Sequence, residues 1–398
     1  MQTPSKATSQ LEFIVLMAAL MSVAALAIDA LLPALDVIGN QLHTQKPADN
    51  QLMVTMIFLG LGVGPLLFGP LSDATGRKPS VYIGFLIFIL ASFICIYAKN
   101  IEMMVVGRIV QGIGLSAPRT VCIAIIRDSY EGDYMARIMS FVTVVFLLIP
   151  IVAPAMGQFV LNHYNWQAIF YVQMGISLLV ALWFWLRQRE TLAISKQIPF
   201  SVKRIANGFK ESLHYNDTLG YTLISGFIVG SFLVYISASQ QIFQNQYQLE
   251  DEFPYIFAGL AVAIGTAIFL NGTFVLRFGM EKMVRSSLIG FFGISILYIV
   301  LFHNTPNPDI IILLVFFAAQ FFCIGFLFGN LRALAMQPVG HIAGIAAAVT
   351  GFISTLMAVP ISTFIGRYVI NSTLPLFIGF GVCGALSLII LVWLKRKK

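Results

Sequence analysis

Twelve apolar runs, each about twenty residues long, determine what this chain can fold into. A helix of about twenty apolar residues crosses the ~30 Å hydrocarbon core of a bilayer. Apolar residues make up 58% of the 398 residues and charged residues only 10%, against about 25% charged in soluble domains. The sequence therefore predicts an all-α integral membrane protein with twelve transmembrane helices, and it excludes a soluble enzyme. The predicted spans are 12–35, 51–71, 80–98, 102–126, 137–160, 166–187, 218–242, 254–276, 284–303, 309–333, 342–367 and 374–394.

One link between the runs is much longer than the others. It extends from Arg187 to Asp217 and divides the chain into six spans and six spans. We predict two six-helix bundles, residues 1–187 and 218–398, joined by a linker at 188–217. The linker mixes basic with apolar residues, which predicts an amphipathic helix on the membrane surface.

Lysine and arginine residues are concentrated on one side of the predicted membrane. If the N-terminus is inside, the inner links, the linker and the C-terminal tail carry nearly all of them, and the outer links have little beyond Lys46 and Lys99. The positive-inside rule then predicts a multi-pass protein of the bacterial inner (plasma) membrane with both termini cytoplasmic. The basic residues do not cluster into a groove, so we expect no nucleic-acid partner.

Three ionisable residues lie within spans and away from the interfaces: Asp29, Arg108 and Arg119. Charge in the hydrocarbon region is costly and usually functional. Asp29 and Arg108 each lie about six residues, or roughly 9 Å, from the outer ends of their spans, so they can meet. We predict a proton-coupling pair, with a static ion pair as the alternative. Burial raises the pKa of a carboxyl group and an arginine partner lowers it, so the sequence leaves the charge state open.

The fourth span carries a polar stripe. At 100° per residue, Arg108, Gln111, Gly112, Leu115 and Arg119 share one face, which predicts contact with a cavity or another helix. As a set, polar and aromatic residues of the second half suit an amphipathic cavity for hydrophobic or zwitterionic compounds, although helix packing is the better explanation for any single one of them. The predicted cavity residues are Asp29, Arg108, Gln111, Arg119, Tyr235, Gln241, Gln320 and Phe321.

A compact polar stretch at 69–79 links the second and third spans. Glycines permit close approach and positive φ there, and an acid lies next to two basic residues. Its distinctive residues are Gly69, Asp73, Gly76, Arg77 and Lys78. The link after the eighth span occupies the same place in the second half, but Leu276 stands where the acid would be. This similarity is weak evidence for an internal duplication.

The fifth span contains two prolines a turn apart, Pro150 and Pro154, followed by Gly157. Prolines kink a helix, and the glycine lets a neighbouring helix approach closely. We therefore predict a kinked helix that packs tightly near its middle.

These patterns resemble the motifs of the major facilitator superfamily. The order Gly-x-Leu-x-Asp-x-x-Gly-Arg-Lys at 69–78 resembles its signature loop, and Arg-x-x-Gln-Gly at 108–112 resembles its fourth-span motif. The fifth span resembles the proline-glycine motif of its proton-driven exporters, with Gln158 in place of the usual second glycine. Asp-x-x-x-Pro-Ala-Leu at 29–35, Arg119 and Ile-Ile-Arg-Asp at 125–128 resemble its Bcr/CflA (bicyclomycin-resistance) branch.

The resemblance implies a drug:proton antiporter that exports small amphipathic compounds by alternating access, as in multidrug efflux and antibiotic resistance. Asp29 with Arg108 would couple transport to protons. Asp73 would form a cytoplasmic gate with Arg127, Asp128 and the start of the eleventh span. The altered glycine motif leaves one alternative open, a proton-linked importer of a nutrient or siderophore-like compound.

Sequence signals for other chemistry are missing. The chain has no Walker motif, its five histidines have no metal-ligand spacing, and its four cysteines lie inside apolar runs. We therefore expect no enzyme activity, no metal and no cofactor beyond the proton gradient. The expected partners are a small-molecule substrate, protons and the lipid bilayer, and a complete pair of bundles predicts a monomer.

Overall fold

The computed structural model describes residues 9–397, and every regular element in that range is a helix. Residues 1–8 of the predicted first bundle and residue 398 of the second lie outside the described residues. We number the membrane-length helices α1 to α12. They are α1 Gln10–Asp29, α2 Leu52–Thr75, α3 Arg77–Ile96, α4 Ile101–Ser129, α5 Gly132–Leu147 continued by Ile149–His163, α6 Gln167–Arg187, α7 Asn216–Gln240, α8 Phe253–Phe278, α9 Met280–Phe302, α10 Ile310–Met336, α11 Ala343–Gly366 and α12 Leu374–Lys397.

Shorter helical segments connect or extend these helices. Two are linker elements, and the others lie at the ends of spans. They are Leu32–Ala34, Leu35–Gln41, Pro47–Asn50, Ile194–Lys196, Val202–His214, Gln241–Gln246 and Gln337–Ile342.

The number of spans agrees with the sequence. Within residues 9–397, eleven helical segments are long and apolar enough to cross a membrane. One of them, Ile310–Gly366, contains both α10 and α11, which the turn Gln337–Ile342 separates. Counted singly, the described residues contain twelve such helices, so the predicted all-α membrane fold is confirmed.

Two glycines make equivalent turns in the two halves of the chain. Gly76 joins α2 to α3 with φ 102° and ψ 162°, and Gly279 joins α8 to α9 with φ 80° and ψ 153°. Side chains rarely tolerate a φ in this range, so glycine is required at both turns. The two halves therefore share this turn geometry, although only the first retains the acid that precedes it.

Helices α2 and α4 pack backbone to backbone through a pair of glycines. A Cβ atom at Gly112 would lie 2.1 Å from the carbonyl oxygen of Ile57, and one at Gly60 would lie 2.1 Å from that of Ile109. The opposing atoms belong to the backbone and cannot move aside cheaply. Small residues at such crossings are what permit close helix packing in membranes.

The two halves meet mainly along two helix pairs, α2 with α11 and α5 with α8, and α7 also contacts α2 and the turn Leu32–Ala34. In the first pair, a Cβ atom at Gly62 would lie 2.6 Å from the Cβ of Thr355. The linker helix Val202–His214 also contacts α11, where Gly208 faces Ile345. We call the end of the molecule that carries this linker helix and the Gly76 turn the linker face, and the other end the opposite face.

The glycine crossing predicts a position-specific effect on stability. Gly112→Ala should lower the melting temperature of the purified protein because its methyl group meets the α2 backbone. Alanine otherwise favours a helix over glycine by about 1 kcal/mol. Gly175→Ala on α6 is the matched control, since a Cβ there meets no heavy atom within 4 Å. Equal melting temperatures for the two variants would contradict the proposed role of the crossing.

Candidate functional site

Asp29 lies where α1 breaks inside the membrane-length segment. The helix ends at Asp29 and continues, through a 3-10 turn that contains Pro33, into Leu35–Gln41. Proline cannot donate the backbone hydrogen bond that would continue the helix. The carboxyl group is buried, with 6% of the residue exposed. Within the described residues it takes part in no ion pair or side-chain hydrogen bond.

Arg108 is fully buried and joins three helices. Its Nε donates to the Met53 carbonyl oxygen on α2 at 2.7 Å, its Nη2 to the Ala27 carbonyl oxygen on α1 at 3.0 Å, and its Nη1 to Gln111 Oε1 at 2.8 Å. Ala27 belongs to the last turn of α1, where carbonyl groups lack helical donors. The break in α1 therefore supplies an acceptor for this arginine.

The expected ion pair between Asp29 and Arg108 is not formed in this conformation. The guanidinium group of Arg108 donates to two backbone carbonyl groups and a side-chain amide instead. The helix break makes this possible, because it exposes a carbonyl oxygen at the depth where we expected the Asp29 carboxylate. Arg108 thus acts on α1 as a structural clamp, and Asp29 stays free of it.

Two of the predicted cavity amides are also used inside their own bundles. Gln111 Nε2 donates to Ser92 Oγ on α3 at 2.8 Å, which extends the Arg108 clamp to a fourth helix. Gln320 Nε2 on α10 donates to Ser295 Oγ on α9 at 2.6 Å. Both residues are fully buried, so each connects helices and does not present its amide nitrogen to a cavity.

Tyr235 on α7 brings the second half close to Asp29. The tyrosine is buried, and its Oη has no hydrogen-bond partner among the described residues. Its helix α7 contacts the turn Leu32–Ala34, which follows Asp29. Its ring packs against Phe321 with the ring centroids 4.5 Å apart. An acid of one half and an unpaired hydroxyl group of the other thus face the same apolar region. The aromatic cluster around them consists of Phe232, Tyr235, Phe257, Phe317 and Phe321.

Side-chain amides connect the two halves at the opposite face. Gln51 Nε2 donates to Gln241 Oε1 at 2.9 Å and to the Gly366 carbonyl oxygen at 3.3 Å. Nearby, Asn245 Nδ2 donates to Asp36 Oδ2 at 2.7 Å. Gln241 is one of the predicted cavity residues, and the structure places it in this contact between the halves.

The halves are apart at the linker face. A Cβ atom at Gly69 on α2, or at Gly344 or Gly351 on α11, would meet no heavy atom within 4 Å, although the same helices touch at Gly62 and Thr355. Arg119, on the inner half of α4, is exposed to solvent. The molecule is therefore closed at the opposite face and open towards the linker face.

The loop at the linker face forms an ion cluster around Arg77. This buried arginine donates from Nη1 to Asp73 Oδ1 at 2.6 Å and from Nε to Asp128 Oδ2 at 2.8 Å. The predicted group of Asp73, Arg77 and Asp128 is thus brought together, whereas Arg127 is exposed and lies outside it. Asp73 makes no hydrogen bond to the start of α11 here, because the halves are separated at this face.

An acid of the linker completes this loop. Glu190 accepts hydrogen bonds from the backbone nitrogens of Arg77 at 3.0 Å and Lys78 at 2.9 Å, the first residues of α3. A carboxylate at a helix N-terminus satisfies free donors and matches the helix dipole. Lys78 Nζ in turn donates to the Gln188 carbonyl oxygen at 2.7 Å. The loop and the start of the linker are therefore one connected structure.

The kink motif of α5 packs against the break in α1. The helix is interrupted at Leu148, just before Pro150, and Pro154 lies within its second segment. A Cβ atom at Gly157 would lie 1.9 Å from the carbonyl oxygen of Ala30. The glycine thus permits α5 to touch the residue that follows Asp29.

Comparison with known proteins identifies the family. The model of the Major Facilitator Superfamily matches residues 17–360. The chain belongs to the Major Facilitator Superfamily. It resembles solved structures of the D-xylose-proton symporter (14% identity, TM-score 0.69, 96% of this chain and 97% of the other) and of the human organic anion transporter MFSD10 (14%, TM-score 0.63, 98% and 99%), which supports the fold alone.

Curated relatives support the predicted branch. The chain is 31% identical to the uncharacterized MFS-type transporter YdgK of Bacillus subtilis over 87% of this chain and 85% of that protein. It is 27% identical to the bicyclomycin resistance protein homolog of Haemophilus influenzae (93% and 92%) and 25% identical to the multidrug resistance protein MdtL of Klebsiella pneumoniae strain 342 (92% and 91%). The predicted family, branch and non-enzymatic transporter class are confirmed.

Sequence reasoning missed some residues of the site. The residues that it did not single out are Gln51 and Glu190. Glu190 lies shortly after the sixth span among basic residues, and this position was the available signal for its contact with the N-terminus of α3. Nothing in the sequence paired Gln51 with Gln241, because they are 190 positions apart.

The clamp predicts that charge alone does not replace Arg108. Arg108→Lys should lower the melting temperature, because an ammonium group cannot reach acceptors on α1, α2 and Gln111 together. Each buried acceptor left unpaired costs about 1–3 kcal/mol. Arg119→Lys is the control, since the structure shows no hydrogen bond from that side chain within the described residues. An unchanged melting temperature for Arg108→Lys would show that only the charge matters.

Proposed function

We propose that this protein is a proton-driven antiporter of the bacterial inner membrane that exports small amphipathic compounds. The observation that carries the proposal is Asp29, a buried acid that lacks a basic partner at the break of α1 and faces the second half near Tyr235. A carboxyl group in such a place can bind and release a proton within the membrane. The names of the bicyclomycin and multidrug resistance relatives favour export of such compounds.

The orientation in the membrane follows from the distribution of basic residues. Lysine and arginine are concentrated at the linker face, and the positive-inside rule assigns that face and both termini to the cytoplasm. The conformation described above is then inward-open. A compound from the cytoplasm enters between the halves, and its apolar body fits the aromatic cluster that surrounds Tyr235.

The transport cycle uses the contacts at the two faces alternately. Closing the linker face would bring the loop at Asp73 towards the start of α11, whose positive dipole end favours a carboxylate. Opening the opposite face would break the bond between Gln51 and Gln241 and the bond between Asp36 and Asn245. A proton then reaches Asp29 from outside as the compound leaves, and its release to the cytoplasm resets the cycle.

A proton gradient supplies the energy for this cycle. The sequence contains no Walker motif, so we assign uphill export to an ion gradient. One unit of pH difference provides about 1.4 kcal/mol per proton. Each chain has a complete pair of halves, and we propose that it acts as a monomer.

The role of Asp29 can be tested in everted vesicles from a pump-deficient bacterial host. Asp29→Asn should abolish proton-driven uptake of an exported compound and keep downhill exchange, because an amide cannot carry the proton. Asp49→Asn, an acid of the short helix at the opposite face, is the matched control and should behave as wild type. Full proton-driven uptake by Asp29→Asn would remove Asp29 from the coupling role. Transport of the compound in the same direction as the proton would identify an importer.

A further inference from the structure

A groove on the second half lies between the end of α8 and the start of α9. It has a volume of about 580 Å³, within the range of about 300–1,000 Å³ that is usual for small-molecule sites. Basic, hydroxyl and apolar side chains line it, and no acid of the described residues does. Most of the lining is formed by Phe274, Phe278, Lys282, Arg285, Ser286 and Ile289.

The groove is polar at the linker face and apolar towards the middle of the membrane. Lys282 and Arg285 lie in the first two turns of α9, and Ile289 lies about 6 Å further along that helix, at a rise of ~1.5 Å per residue. The α8 wall is aromatic, since the ring centroids of Phe274 and Phe278 are 6.2 Å apart. Both rings and Ile289 are exposed. A ligand that matches this groove has a charged head and an apolar tail.

The basic residues of the groove form no ion pair within the described part of the chain. Lys282 and Arg285 are both exposed, and the ion pairs of the described residues lie elsewhere. Glu281, the neighbouring acid in the sequence, does not line the groove. A third positive charge borders it, because the guanidinium carbon of Arg277 lies 5.3 Å from the ring centroid of Phe278. Basic residues grouped at a membrane surface attract anionic headgroups.

The equivalent turn of the first half carries its own acids. There, Arg77 pairs with Asp73 and Asp128. The linker acid Glu190 accepts hydrogen bonds from the backbone beside them. In the second half, Leu276 stands where Asp73 would be, and it is exposed. The second half thus keeps basic residues at this turn without the acids that neutralise those of the first half.

We propose that this groove binds an anionic phospholipid from the leaflet at the linker face. The phosphate group would lie against Lys282, Arg285 and Ser286, whose hydroxyl group can donate to a phosphate oxygen. An acyl chain would extend along Phe274 and Ile289 into the hydrocarbon region. The apolar end of the groove favours a lipid over a soluble phosphate, which has no tail to occupy it. This inference goes beyond the proposed transport function and does not depend on it.

Native mass spectrometry of the purified full-length protein in detergent tests this proposal, because it counts the lipid molecules that stay bound. The protein is titrated with phosphatidylglycerol and, separately, with phosphatidylcholine that has the same acyl chains. We expect phosphatidylglycerol to bind at the lower concentration. Lys282→Gln and Arg285→Gln should each weaken its binding about fivefold, as for one basic residue near an anionic headgroup. Binding of phosphatidylcholine should be unchanged.

Three further variants separate charge, shape and position. The double variant Lys282→Arg with Arg285→Lys keeps both charges and should keep the preference for phosphatidylglycerol. Ser286→Trp keeps the charges but fills the groove, and it should weaken binding. Arg137→Gln removes an exposed arginine of α5 at the same face and should change nothing. Equal binding of the two lipids by wild type would overturn the proposal, and so would unchanged phosphatidylglycerol binding to both glutamine variants or to Ser286→Trp.

A soluble phosphate compound is the other source of an anion for these basic residues. Glycerol phosphate carries the phosphate group of the lipid without its acyl chains, so it is added as a competitor. We expect no displacement of phosphatidylglycerol at equal concentration, because the acyl chain contributes to binding. Displacement at equal concentration would show that the groove binds soluble phosphates, which overturns the proposal.

Discussion

The hydrogen bonds of Arg108 fix the geometry on which the site depends. The break after Asp29 leaves a carbonyl group at the end of α1 without a helical donor, and the guanidinium group of Arg108 supplies one. On another side of the same break, Gly157 lets α5 contact the backbone of Ala30. The broken helix is thus held by α4 and α5, and Asp29 remains beside the second half without a basic partner.

Most charge-assisted contacts lie within the halves, and the bond from Asn245 to the Asp36 carboxylate is one that joins them. Inside the first half, charge-assisted bonds from Arg108 and Arg77 and glycine crossings hold the helices together. Across the opposite face, the partners include Gln51, Gln241 and a backbone carbonyl group, and such neutral hydrogen bonds contribute only about 0.5–1.5 kcal/mol each. A molecule built this way can move its halves as units, because few hydrogen bonds must break at the opposite face.

Much of the fold could be predicted from the sequence, and less of the site. Run length and apolarity are enough to find twelve spans, and the short separation of Asp73 and Arg77 in one polar link predicts their contact. Helical rise also placed Asp29 and Arg108 at the same depth. It could not show that a helix break would expose a carbonyl group that takes the place of the carboxylate. For Gln111 and Gln320 the sequence could not show which helices their amide groups contact, since a buried amide fits both a cavity and a helix contact.

Asp29, and not the pair of Asp29 and Arg108, is proposed to exchange the coupling proton when a compound binds. Proton release by the purified protein in weakly buffered solution, followed with a pH-indicator dye during titration with an exported compound, tests it most directly. The account predicts release by wild type and none by Asp29→Asn, with binding of the compound retained. Equal release by the two proteins would contradict it.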